Sequence, residues 1–406
     1  MHYIRKQELG KILANYTPQV VKLLGATNYC QKIICPFHED KNASLRLYVN
    51  NQRLVGYCFG CGKFYPVEQI YAEQRNIDVD QAIEEILTKL DIDAVIVKDH
   101  KPYERALNYI QKLLLTDRLS DKTLAFFRKK GLGPEFLKKY GISELKKCDV
   151  KAIIERVAQK TSLSVDFFKR TLYPVQPNRI IYPIRDCQNR LIGFASRTLK
   201  DGIKYLNSYT TPLYKKSNVL YGLWVLPKNQ DTVFIVEGYN DALAMWKYGF
   251  YNTVAVGGTA LTKQHAKKLL DLGYKKFILM FDPDRAGREA MVNAITDVMI
   301  PLCIDGQVAF LPRGKDIDEY LAEKQDPIAV LNLKQMDIFS YAMKAIKNPK
   351  FLLNCMQNAQ LDYVERNVLK ADFSDKLKYY LLYKVTKSVY VNLHNSLKEL
   401  TNAGCT

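Results

Sequence analysis

The stretch that decides the fold runs from Thr232 to Tyr320 and opens with Thr232-Val-Phe-Ile-Val236, followed at once by Glu237-Gly238. A helix-length segment later comes Thr253-Val-Ala-Val256, closed by Gly257-Gly258. Next is Phe277-Ile-Leu-Met-Phe281, which ends in Asp282-Pro283-Asp284, and then Gln307-Val-Ala-Phe-Leu311, followed by Asp316-Ile317-Asp318. Amphipathic segments of helical length lie between them at Asp241–Tyr248, Thr262–Leu272 and Ala286–Met299. Short β-branched runs alternating with helices predict a parallel, Rossmann-like α/β sheet covered on both faces. Ligands of such sheets sit beyond the carboxyl ends of the strands. Glu237, Asp282, Asp284, Asp316 and Asp318 are all delivered to that edge.

Any one of these acids reads equally well as a solvated loop residue, and Asp282 or Asp284 as a helix N-cap. Their repeated placement at strand ends is what argues for a common site. Carboxylates crowded together repel one another and raise their own pKa values. A hard divalent cation relieves that, and Mg²⁺ suits a few carboxylates combined with phosphate oxygens. A pair of such ions can hold the attacking and leaving oxygens of a phosphoryl transfer.

Four motifs in this stretch carry a resemblance: Glu237-Gly-Tyr-Asn-Asp241, Gly258-Thr-Ala-Leu-Thr262, Asp282-Pro-Asp-Arg-Ala-Gly-Arg288 and Gly314-Lys-Asp-Ile-Asp-Glu319. They are similar to the Toprim domain, which is shared by bacterial DnaG-type primases, type IA and type II topoisomerases and some nucleases. The surrounding sequence chooses among these.

The whole chain has 406 residues, a formal net charge of +18 and nine cysteines. That length predicts two or three domains. The charge favours a polyanionic partner. Scattered cysteines in odd number argue against a disulfide framework. The sequence shows no signal pattern and no apolar run near the length of a membrane span, so a cytoplasmic protein without a membrane partner is expected.

Residues 1–95 hold a second constellation, Cys35-Pro-Phe-His38 and Cys58-Phe-Gly-Cys61. Three thiolates and an imidazole in two such pairs can close a tetrahedral structural Zn²⁺ site. Ser44–Val49 and Gln52–Tyr57 flank Asn50-Asn51 and predict a hairpin that brings the pairs together. Cys30, five residues before Cys35, is the less well spaced alternative ligand. This module resembles the N-terminal zinc-binding domain of DnaG-type primases, but Gly62-Lys-Phe-Tyr-Pro66 stands where that family has a Gly-rich step.

Residues 98–170 carry 18 basic against 9 acidic side chains, including Arg128-Lys-Lys130, Lys138-Lys139 and Lys146-Lys147. A solvated helical surface explains any one pair; the regional excess suggests a groove that follows a phosphate backbone. Asn178–Asp186 and Arg190–Arg197 then read as strands joined at Gln188-Asn189. Together with Lys204-Tyr-Leu-Asn207, Pro212-Leu-Tyr-Lys-Lys216 and Leu220-Tyr-Gly222, they resemble the basic subdomain that precedes Toprim in DnaG-type primases. Ser217-Asn218 replaces that family's Gly-Arg.

The resemblance implies a multidomain α+β and α/β chain with four parts. These are a zinc-ribbon-like module (1–95), a basic N-terminal subdomain of the RNA polymerase core (96–228), a Toprim metal-binding subdomain (229–327) and a helical subdomain (328–406). Helices are expected at Asp80–Leu90, Ile338–Ile346, Pro349–Gln357 and Lys376–Leu400. It also implies a DNA-dependent RNA primase acting on single-stranded DNA with ribonucleoside triphosphates, a structural Zn²⁺ and catalytic Mg²⁺ or Mn²⁺. Asp282, Asp284 and Asp316 are expected as the main Mg²⁺ or Mn²⁺ ligands, Asp241 and Asp318 completing the cluster. Glu237 is expected beside the metal with them, positioning or deprotonating the hydroxyl. Arg179, Arg197, Lys204, Tyr205, Asn207 and Lys216 line the template and nucleotide site. A monomer is expected, with any replicative helicase bound in trans, since neither a helicase-interacting domain nor a Gly-x₄-Gly-Lys-Ser/Thr loop is read. The competing readings are a Toprim nuclease or topoisomerase-like enzyme and a non-catalytic single-strand binder.

Overall fold

The computed structural model describes residues 2–4, 6–28, 31–40, 42–50, 53–77, 79–92, 94–96, 100–258, 260–357 and 359–387. Cys30, Asn51 of the hairpin turn, Thr259 of the Toprim motif and the expected helix beyond residue 387 lie outside them. The chain divides into two compact units, Met1–Tyr103 and Glu104–Thr406.

The first unit is built on the antiparallel sheet β1 (Leu45–Asn50), β2 (Arg53–Cys58) and β3 (Lys63–Pro66), in that spatial order. Leu45 pairs with Cys58 and Asn50 with Arg53, the expected hairpin. Alternation places Leu45, Leu47 and Leu54 in the core with Ile70, Tyr71 and Ile86 of the following helices, Val67–Arg75 and Val79–Lys89. Outward on the same strands lie Arg46, Tyr48, Val55 and Tyr57.

The second unit carries two larger sheets. The antiparallel strands β4 (Arg179–Arg185), β5 (Leu191–Thr198) and β6 (Tyr205–Asn207) lie in the order β6-β5-β4. The turn into β5 has Asn189 at a φ of 63°, a left-handed position that asparagine tolerates.

The other sheet comprises β7 (Thr232–Val236), β8 (Thr253–Ala255), β9 (Lys276–Met280), β10 (Asp305–Ala309) and β11 (Gln335–Asp337), in the order β8-β7-β9-β10-β11. The first four are parallel, as expected, and β11 closes the edge antiparallel to β10. Val233, Phe234, Ile235 and Val236 are all buried although neighbours point to opposite faces, so helices cover both sides. Between strands run α1 (Tyr239–Lys247), α2 (Lys263–Asp271) and α3 (Arg285–Asn293), and α4 (Ile317–Lys324) follows β10. The segment expected as one helix to Met299 widens into a π-helical turn at Ala294–Met299, which buries Ile295, Val298 and Met299. The region after residue 328 is not purely helical, because β11 follows its short first helix, Ile328–Leu331. Its helices Ile338–Ile346, Pro349–Met356 and Leu361–Lys370 then pack Phe339, Leu352 and Val364 into the same core as the sheet.

The chain leaves β7 for β8 on one side and then crosses to β9 on the other. The order therefore reverses at β7, and the crevice between the carboxyl ends of β7 and β9 is the switch point where such sheets bind ligands.

Candidate metal centres

In the first unit the hairpin brings Cys35, His38, Cys58 and Cys61 together, with one ligand atom of each within 4.8 Å of the others. Cys35 and Cys61 Sγ are 3.8 Å apart, the edge of a tetrahedron with metal–sulfur bonds of about 2.3 Å. His38 turns Nδ1 to Cys61 Sγ at 3.1 Å and Nε2 to Asp40 Oδ1 at 3.8 Å. Asp40 thus stands where an outer carboxylate would accompany a metal-bound imidazole. Its Oδ2 also accepts from the Cys35 N–H (2.8 Å) and from Ser44 Oγ (2.7 Å). Cys58 Sγ accepts the Cys61 N–H at 3.2 Å. Gly60 is required here, since a Cβ on it would lie 2.6 Å from His38 Nε2. Donor set, spacing and outer carboxylate all fit Zn²⁺.

In the second unit the switch point gathers the acids. Glu237, just after β7, accepts the Asp282 N–H on Oε1 at 2.7 Å, which ties the β7 end to the β9 end. Asp284 caps α3 by accepting the Gly287 N–H at 2.7 Å, and Asp316 caps α4 by accepting the Glu319 N–H at 3.0 Å. Both acids therefore serve as caps and keep a second oxygen for a ligand. Asp241, in the first turn of α1, spends Oδ2 on the Gly238 N–H at 2.8 Å. The tight trio is Asp241, Asp316 and Asp318, with ligand atoms within 4.8 Å of one another. The expected principal ligands Asp282, Asp284 and Asp316 are not grouped that closely, although Asp316 and Asp284 both act electrostatically on Asp282.

The electrostatics are those of a site short of positive charge. Burial, then Asp282 and Asp284, push Glu237 up to about 7. Burial, then Asp316 and Asp284, push Asp282 up to about 6. Asp241 is raised well above the carboxylate range by burial and by Asp318 and Asp316. Asp318 rises to about 7 through burial and its contact with Asp316. Asp316 stays low: burial opposes this, but hydrogen bonding to Asp318 and the Glu319 N–H, with Lys130 and Lys204 nearby, outweighs it. Asp318 is 1% exposed and its Oδ1 is buried with no hydrogen-bond partner. An acceptor left in that condition is costly. A proton shared with Asp316 satisfies it in the metal-free chain, and a divalent cation can do so in its place, so these residues fit a hard metal ion.

The geometry of Gly287 protects this arrangement. A Cβ there would lie 2.2 Å from the Asp282 carbonyl and 2.6 Å from Glu237 Oε1. Gly287→Ala is expected to cost about 1–3 kcal/mol of stability through overpacking, read from the midpoint of denaturant unfolding. An unchanged midpoint would show that the loop yields freely.

The basic subdomain faces these acids. The Arg197 guanidinium lies 4.6 Å from the Phe126 ring and 5.3 Å from the Tyr205 ring, and its Nη1 donates to Tyr205 Oη at 2.8 Å. Its Nε is buried without an acceptor. Lys204 is exposed and close enough to favour the charged forms of Asp282 and Asp316. Asn207 accepts from the Tyr239 hydroxyl, which joins β6 to the start of α1. Lys216 donates to the Gly258 carbonyl at 3.0 Å, and its loop is held by buried His265, whose Nε2 lies 3.1 Å from the Lys216 carbonyl. Arg179 differs from the rest. It is 9% exposed, and its guanidinium is spent on Ser196 Oγ (2.8 Å) and the Ile203 and Lys204 carbonyls (both 3.0 Å). Two partners escaped the sequence: Asp40 beside the zinc ligands, and Lys130, whose ammonium pairs with Asp318.

Comparison with known proteins agrees with this layout. Family models match in succession the CHC2 zinc finger (residues 6–102), the DNA primase catalytic core, N-terminal domain (99–226), and a Toprim-like domain (234–321). The chain is 28% identical over 380 residues to a DNA primase of Clostridium acetobutylicum, covering 84% of this chain and 62% of that one. It is 31% identical over 312 residues to a DNA primase of Chlamydia trachomatis, covering 72% and 52% respectively. It thus spans between half and two thirds of these relatives' length. The Aquifex aeolicus primase structure, comprising zinc-binding and RNA polymerase domains, shares the fold with a TM-score of 0.52 at 22% identity, covering 95% of this chain and 97% of that one. No described helix is long and apolar enough to cross a membrane. With a zinc ribbon, a primase core and a Toprim sheet matched in that order, the chain belongs to the DnaG-type DNA primase family.

Proposed function

We propose that the chain synthesises short RNA primers on single-stranded DNA. The observation that carries this reading is the acid cluster at the β7–β9 switch point, with the unsatisfied Asp318 Oδ1 inside it and the basic subdomain facing it. Asp241, Asp316 and Asp318 would hold Mg²⁺ or Mn²⁺, with Asp282 and Asp284 completing the shell. When bound, the metal would lower the charge on the nucleotide phosphates and make the attacking hydroxyl more acidic.

The chain's own groups then account for the rest. The 3′-oxygen of one ribonucleotide attacks the α-phosphorus of the next, the bond to the β-phosphate breaks, and pyrophosphate leaves. Glu237, raised to about 7, is tuned to accept the hydroxyl proton, since a base works best with a pKa near ambient pH. Its Oε1 is fixed by the Asp282 N–H, so Oε2 takes the proton. Lys204 and Arg197 hold phosphate oxygens, the guanidinium by bidentate contact. Lys216, drawn toward the Gly258 carbonyl, marks the other lip of the groove, and Tyr205 and Asn207 form its wall. Arg179 acts through the Ile203 and Lys204 carbonyls it binds, as a positioning residue. The zinc module engages the template, and a replicative helicase would contact the chain in trans.

Binding and chemistry separate by mutation. Asp282→Asn and Asp284→Asn are expected to abolish synthesis, because an amide is a poor ligand for a hard cation, while single-strand affinity stays the same or rises slightly. Lys204→Ala is expected to weaken nucleotide or template binding, to reduce the salt slope of template binding by about one, and to leave Mn²⁺ binding intact. Fluorescence anisotropy with an oligonucleotide at several salt concentrations measures both. Wild-type synthesis by both Asn variants would overturn the assignment of these two acids to the catalytic metal site.

A further inference from the structure

Lys130 stands apart from the basic groups that face solvent. It terminates the helix Asp121–Lys129 in the basic subdomain, yet its ammonium reaches Asp318 after the last parallel strand of the Toprim sheet. Both side chains are withdrawn from water, at 12% and 2% exposure. The Phe126 ring lies 5.4 Å from Lys130 Nζ. Lys130 takes Asp318 Oδ2, while Oδ1 stays buried and unpartnered in the trio with Asp241 and Asp316. Ionised as a bound dication would leave them, three carboxylates and one ammonium sum to two negative charges, the number that one divalent ion neutralises.

We propose that Lys130 is a resident counter-ion of the metal centre: its ammonium occupies Asp318 Oδ2 and its charge limits the trio to weak, exchangeable binding of a single divalent cation. The proposal rests on reading the trio as a divalent-ion site. An ammonium held against one ligand repels an incoming dication at a few ångströms, in a place with little water to screen it. The price of removing a structural lysine would be the loss of an ordered ligand and weaker metal binding; removing a counter-ion strengthens it. The two roles therefore predict opposite signs.

The test is Mn²⁺ binding by the full chain, followed from the free-ion electron paramagnetic resonance signal at pH 8.5 for wild type and variants alike. Lys130→Met is expected to tighten Mn²⁺ binding about tenfold or more, and Lys130→Arg, which keeps the charge, to stay near wild type. Equal or weaker binding by Lys130→Met, with circular dichroism showing a folded chain, overturns the proposal. Should Lys130→Met fail to fold, Lys130→Gln, which keeps a donor for Asp318 without the charge, is read by the same criterion. Asp316→Asn separates the two claims. If it leaves wild-type Mn²⁺ affinity unchanged, the metal reading of the trio fails; if it weakens binding but Lys130→Met and Lys130→Gln do not tighten it, only the role of Lys130 fails.

Discussion

Glu237→Gln is expected to cut primer synthesis by about 10²–10⁴-fold, the range for loss of a general base, while making the metal-free chain more stable above pH 7. The amide keeps the carbonyl oxygen that accepts the Asp282 N–H, so the tie between β7 and β9 survives and only the charge is lost. In the folded chain Glu237 titrates at about 7, against an ordinary value of 4.5. Below about 4.5 both folded and unfolded states carry the proton and nothing is lost. Between 4.5 and 7 the folded state binds more protons than the unfolded one, so stability falls as pH rises. Above 7 the penalty is complete. Because the group is partly open to solvent, screening reduces it to about 1–2 kcal/mol. Asp282, raised to about 6, adds to the same slope. Thermal unfolding of chelator-treated protein at pH 5 and pH 8 measures it, and added Mg²⁺ should recover what pH 8 removes. A metal-free wild-type chain more stable at pH 8 than at pH 5 would contradict the assignment of crowded, buried acids.

Loss of one zinc ligand is expected to have the other large effect. Cys58→Ser or Cys61→Ser should abolish the single Zn²⁺ of the chain, since structural zinc supplies roughly 10–16 kcal/mol of apparent binding energy in small modules. The ribbon Met1–Tyr103 has its own core of Leu45, Leu54, Ile70 and Tyr71, so its helices should outlast its metal loop. Hydrogen exchange should rise first at Cys35–Asp40 and Cys58–Gly62. Template-dependent initiation should fall more than extension of a supplied primer. Elemental analysis that finds zinc unchanged in both variants would overturn the ligand assignment.

Much of this was legible because the sequence repeats a physical sign. Apolar runs that end in acids announce strands feeding one edge, and Glu237, Asp282 and Asp316 all lie where that pattern puts them. The zinc ligands were legible for a similar reason, as two short spacings flank a hairpin whose alternation is clear. What stayed hidden depends on distance along the chain. Lys130 meets an acid nearly two hundred positions away, and within Arg128-Lys-Lys130 nothing distinguishes it from its neighbours. Asp40 looks like an ordinary loop acid until the fold turns His38 toward it. Arg179 resembles a groove residue by type, but it sits at the start of a strand buried on both faces and is consumed by backbone carbonyls. Strand β11, three residues long, is too short to show alternation, and the π-turn at Ala294–Met299 keeps helical periodicity close enough to pass for one helix.

The central claim is that the switch-point acids perform nucleotidyl transfer on a single-stranded template. Its most direct measurement is incorporation of labelled ribonucleotides on single-stranded DNA without a supplied primer, with Mg²⁺ or Mn²⁺, by wild type and by Asp282→Asn. The account predicts short RNA products that begin with a 5′-triphosphate, require template and metal, and vanish in the variant although it still binds the DNA. Template-dependent products made equally by Asp282→Asn, or cleavage of the DNA in place of synthesis, would contradict it.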